Sequence, residues 1–173
     1  MHEIFWVVGE LGNYSISFAG LKEGKHLFNF EIGPSFFAHF EKSDILNGHL
    51  QVSIELDKKS RLLELTFRIT GKIEVQCDRC LDLFYLPVQS SHSLFIKFGK
   101  ERKELSDELL VLKENEHQVK LDQYLYEYIM LSLPYQRVHP IDASGISGCN
   151  PKMIEKLNKY LVTEETSGDR NHT

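Results

Sequence analysis

Cysteine is scarce in this chain: three residues in 173, and an odd number. That count makes a poor disulfide framework and points to a reducing compartment, the cytoplasm. Long apolar runs are missing as well. No stretch approaches the roughly 20 apolar residues a membrane helix needs. The run Ile4 to Val8 is too short, and Met1 to Glu3 too poor in basic residues, to read as a signal peptide. Positive charge is in deficit, with 20 Lys and Arg against 25 Asp and Glu, for a net charge of -5 and a pI near 5.9. This argues against a basic surface that coats nucleic acid indiscriminately, while leaving room for a local basic patch. Phosphate-cradling glycine loops, HExxH and GxSxG are all absent, and His39, His49, His92 and His117 stand apart from any nucleophile motif. No catalytic residue is expected, and the chain reads as a binding protein and not an enzyme.

What is present is an ordinary globular composition, 42% hydrophobic and 26% charged. The length suits one domain, expected over residues 1–162, followed by a polar tail over 163–173 expected to be disordered. The strongest pattern is Leu63 to Leu81. Leu63, Leu65, Phe67, Ile69, Ile73, Val75 and Cys77 alternate with polar or charged residues from Glu64 to Gln76. Strands send successive side chains to opposite faces, so this is a strand with one dry and one wet face, and a helix is excluded. Gly71 lets so long a strand bend.

The same alternation in Leu50, Val52, Ile54 and Leu56 predicts an antiparallel partner, joined through the charged Asp57–Arg61 loop. Asn47-Gly48 reads as a turn. Tyr14, Ile16 and Phe18 suggest a strand that could form a hairpin with Leu27–Ile32, and Trp6 reads as core. Phe36, Phe37 and Phe40 have helix-like spacing with Ser35 as a possible cap. Leu81–Val88 and Ser91–Gly99 read as two further strands, the first ended or placed at an edge by Pro87. Lys100–Glu108 reads as a charged loop and Leu109–Lys113 as a short strand. Val119–Leu133 predicts a helix capped by Asp122 and stopped by Pro134, and Asn150-Pro151 opens a second. Residues 135–149 have no period. The expected fold is α+β: a bent antiparallel sheet or partial β-barrel with two C-terminal helices.

Cys77-Asp78-Arg79-Cys80 is the sharpest local signal, and three readings are open for it. A Cys-x-x-Cys turn places two thiolates close enough for one tetrahedral zinc, with His139 and Cys149 available as the other ligands. A redox dithiol is the second reading, although such pairs work at a helix N-terminus and this one follows a strand. In the third, the cysteines simply pack. Separately, Arg68 and Lys72 on the wet face could join Lys58, Lys59, Arg61 and Arg79 as a phosphate-contact zone, with Glu64 and Glu74 on the same face.

CDRCLDLFYLPV, from Cys77 to Val88, resembles the signature of the YceD-type family, the large ribosomal RNA subunit accumulation proteins. The similarity extends to Phe95–Gly99, to YLYEYIMLSLP from Tyr124 to Pro134, and to a closing loop with a cysteine. Asn29–Lys58 resembles the Bacteroidetes-type version. The resemblance implies a bacterial, non-enzymatic factor in large-subunit ribosomal RNA accumulation and ribosome assembly, acting on that RNA or on a ribosomal protein. It carries over Cys77, Arg79, Cys80 and Leu81 directly. Many members carry several cysteines after the Leu-x-Leu-Pro helix end, where this chain has His139 and Cys149.

Overall fold

A computed structural model describes residues 4–6, 14–41, 43–45 and 47–161, without the side chains of 4–6 and 161. The expectations for the Trp6 side chain and for the tail 163–173 lie outside the described residues. Three long strands form the frame: β4 (Asn47–Lys58), β5 (Leu62–Gln76) and β6 (Leu83–Gly99). They pair antiparallel in sequence order because each turn is short and each strand keeps one apolar face. Across the dry face, Val52 lies opposite Ile69, Ile54 opposite Phe67, and Leu65 between Leu56 and Leu94. All of these side chains are buried, so a one-residue slip of β5 would turn its whole apolar face to water.

β3 (Gly24–Ile32) continues the sheet antiparallel beside β4, and β1 (Ile4–Trp6) lies parallel to β3 at one edge. At the other edge β8 (Leu109–Lys113) runs parallel to the end of β6, and β7 (Lys103–Ser106) pairs antiparallel with β8. The order β1-β3-β4-β5-β6-β8-β7 is open and not a closed barrel. A second, two-stranded sheet of β2 (Ser15–Ser17) and β9 (Gln118–Lys120) contributes buried Ile16 and Val119 to the core. α1 (Pro34–Phe37) and α2 (Asp122–Leu131) complete the covering layer. The Tyr128 ring of α2 stacks on His92 and meets Phe67 edge-on, while Tyr126 stacks on Phe40. Among the described residues of α3 (Pro151–Leu161), Met153 and Ile154 pack against the core.

Several local expectations change. Tyr14–Phe18 makes no hairpin with β3, because both edges of β3 are taken by β1 and β4; β2 pairs with β9 instead. The two strands expected around Pro87 are one, since β8 joins β6 only at Phe95–Gly99 and Pro87 faces a partner strand on one side alone. Asn47-Gly48 opens β4 instead of turning: a Cβ on Gly48 would lie 2.9 Å from Ile73 Cγ2 and from the Phe37 ring. The charged segment before Leu109 contains β7, and Val119 belongs to β9. Gly33, not Ser35, precedes α1 as its cap, and Leu121 holds the cap position expected for Asp122. Leu121 is wholly buried and its N–H donates to the Tyr14 carbonyl, which fixes the entry of α2; Asp122 still places its charge in the first turn, where the helix dipole favours it.

Candidate metal centre

β5 ends at Gln76, and the chain reverses through Cys77–Leu81 into β6. The Leu81 N–H donates to the Cys77 carbonyl at 2.9 Å, and the Cys77 N–H donates to the Asp82 carbonyl at 2.9 Å. Glycine commonly occupies the position after the second cysteine in such a turn. Leu81 takes the left-handed conformation regardless, with φ 66, at a cost of about 1 kcal/mol.

Residues 135–149 are better ordered than their lack of period suggests. Asp142 Oδ1 accepts N–H bonds from Ser144 and Ile146, and Ile141 bridges to Ser147 antiparallel. This small hairpin brings its flanks, His139 and Cys149, together. It is pinned to the cysteine turn by a reciprocal pair: Asp78 N–H to the Arg137 carbonyl at 2.8 Å and Arg137 N–H to Asp78 Oδ2 at 2.7 Å. Nothing in the sequence period announced that pair. Phe84, beside the turn, packs its ring 4.5 Å from the His139 imidazole.

The result is one cluster. The ligand atoms of Cys77, Cys80, His139 and Cys149 all lie within 4.8 Å of one another. Cys77 Sγ is 3.8 Å from Cys149 Sγ, and Cys80 Sγ is 3.4 Å from His139 Nδ1. A tetrahedral site with Zn–S near 2.3 Å and Zn–N near 2.0 Å has S–S edges of about 3.8 Å and S–N edges of about 3.5 Å. The donor set therefore fits a zinc-sized ion. The three thiols are unbonded to one another and buried. Burial opposes ionisation of Cys77, but N–H groups of Cys80, Arg79 and His139 aimed at its sulfur prevail and bring its pKa down to about 6. Burial pushes the Cys80 thiol up, against N–H bonds from Asn150 and Asp82. A turn whose amides point at sulfur is built to hold thiolate.

Residues 65–171, more than half of the chain and all four of these side chains, match the family described as large ribosomal RNA subunit accumulation protein YceD. The chain belongs to this family. No curated protein and no solved structure matches it. The family is named for an accumulation role and not for a reaction. Among the described residues of this YceD chain, no helix is long and apolar enough to cross a membrane.

The six basic residues singled out in the sequence occupy different places. Lys58 turns inward, where its Nζ donates to the Phe18 and Leu21 carbonyls at 2.8 Å each. Lys59 is paired with Asp57 and Glu64. Arg61 is exposed beside them at the β4–β5 turn. Arg68 and Lys72 are exposed on the outer face of β5, with Lys72 Nζ 5.0 Å from the Tyr85 ring centre. Arg79 is exposed in the cysteine turn. The 15 residues of β5 separate Arg61 from Arg79, a distance of about 50 Å along an extended strand.

Proposed function

We propose that this YceD protein is a cytoplasmic, zinc-stapled, non-enzymatic factor that supports large-subunit ribosomal RNA accumulation by binding that RNA or a ribosomal protein. The observation that carries the reading is the Cys3His cluster inside the family-matched region, with edge lengths suited to a tetrahedral ion. Cys77, Cys80, His139 and Cys149 would hold the metal. Bound there, zinc supplies a cross-link and no reaction centre, since four protein ligands leave no open position. The chain's own residues do the rest: Asp78 and Arg137 dock the hairpin, and the amides of the turn stabilise the sulfur charge. Exposed Arg68, Lys72 and Arg79 are candidate phosphate contacts.

The redox reading is weaker on geometry. The pair follows a strand end, and Cys77 and Cys80 are buried to within 1% of complete, whereas reactive dithiols keep an accessible sulfur. The test of the proposed function is depletion in the source cell, followed by sucrose-gradient profiles and large-subunit RNA levels. A deficit of large-subunit RNA rescued by the wild-type chain, and poorly by Cys77→Ser, is expected. Unchanged RNA and particle profiles would refute the reading.

A further inference from the structure

α3 is anchored at its N-terminal end. Its cap, Asn150, follows Cys149 directly; the Asn150 side chain accepts from the Lys152 N–H at 3.1 Å and donates to Asp82 Oδ2 at 3.1 Å. The Asn150 N–H also points at the Cys80 sulfur. The candidate metal centre thus fixes where the helix starts and which way it points. After Met153 and Ile154, every described residue to Tyr160 is exposed.

The exposed part carries three lysines along one face. Lys152, Lys156 and Lys159 recur at i, i+4 and i+7, which places them within about 60° of arc and over about 10 Å of helix length. In a chain with a net charge of -5, this concentration of cations on one short helix runs against the overall balance. Lys159 meets Glu155 at 2.8 Å, but both side chains are about 70% exposed (72% and 69%), and such a pair contributes little and yields readily to a phosphate. Lys152 and Lys156 have no acidic partner among the described residues. Arg79, next to Cys80 in the turn, is exposed as well.

We propose that this lysine face of α3 is a binding surface for the sugar-phosphate backbone of large-subunit ribosomal RNA, presented in a fixed direction by the Cys77–Cys80–His139–Cys149 centre. The inference rests on the ribosomal reading above and names the contact surface for it. Flexible lysines suit phosphate oxygens, and three of them in line neutralise neighbouring charges without reading sequence.

The test compares the full-length, zinc-loaded protein with two variants, K152Q/K156Q/K159Q and a control of equal charge change elsewhere, K97Q/K100Q/K103Q. The probe is a fluorescent transcript of a large-subunit RNA domain, titrated at several salt concentrations. Unchanged circular dichroism and zinc content establish that both variants are folded. The helix variant is expected to lose at least about tenfold in affinity, and its log–log salt slope should fall by about 2 to 3, the release expected for three phosphate contacts. The control should stay near wild type. Equal slopes for the helix variant and wild type overturn the proposal, as does an equal loss in the control. Lysine-dependent binding to phosphatidylserine vesicles, with RNA affinity untouched, also overturns it. If the wild type binds no RNA while depletion still lowers large-subunit RNA, this surface assignment falls and the ribosomal role stands.

Discussion

Cys77 Sγ and Cys149 Sγ lie 3.8 Å apart although 72 positions separate them in sequence. The contact joins the end of β5 to the start of the last helix. Burying two unpaired thiols together gains little, whereas a shared ion converts the same proximity into a cross-link.

Metal content follows directly. Protein purified without a histidine tag should carry about one equivalent of zinc, falling below about 0.2 in Cys77→Ser and Cys149→Ser. His139→Cys should retain a full equivalent, because four thiolates are an equally suitable set. Elemental analysis by mass spectrometry measures all of these. The zinc-free protein should melt roughly 10 °C or more below the loaded one.

The metal-free chain should show one anomalous thiol. Absorbance near 240 nm should report a thiolate forming around pH 6, and Cys77→Ser should remove it. The folded pKa is depressed below the unfolded value. Cys77 ionisation therefore stabilises the fold fully above the ordinary thiol range, and that contribution is lost as pH falls toward about 6. Denaturant midpoints of the metal-free protein should rise with pH across this window, and less steeply in Cys77→Ser.

Gly71 tolerates no side chain. Its φ is +148, and a Cβ there would sit 2.2 Å from the His49 carbonyl oxygen and 2.8 Å from Leu50 Cα, both backbone atoms of the adjacent strand. Gly71→Ala should cost about 2–4 kcal/mol in urea unfolding, since neither strand can retreat without breaking the β4–β5 ladder.

Leu81 predicts the reverse. The side chain is 56% exposed and its φ is 66. Leu81→Gly relieves the left-handed strain, about 1 kcal/mol, against a comparable gain of freedom in the unfolded chain. The melting temperature should hold or rise by about 2 °C with zinc content unchanged. A large fall would show that the Leu81 side chain supports the turn.

Strands β4 and β5 were legible in the sequence because their information is local. Strict alternation over Leu50–Leu56 and Leu63–Cys77 determines a dry face, and a dry face determines register once two such strands meet. The Asn150 cap of α3 was legible for the same reason: an Asn-Pro pair satisfies orphan N–H groups within its own turn. The sequence by itself likewise determined an α+β protein with a Cys-x-x-Cys strand end and two possible ligands downstream. The tertiary structure decided what depends on competition between distant segments. β2 chose β9 because the edges of β3 were occupied, and Pro87 lies within a continuous strand because its other side is open. It also decided that His139 and Cys149 meet Cys77 and Cys80, through a hairpin held by Asp142 and docked by the Asp78–Arg137 pair. The Asp78–Arg137 bonds join residues 59 positions apart, and no period in the chain encodes such a distance.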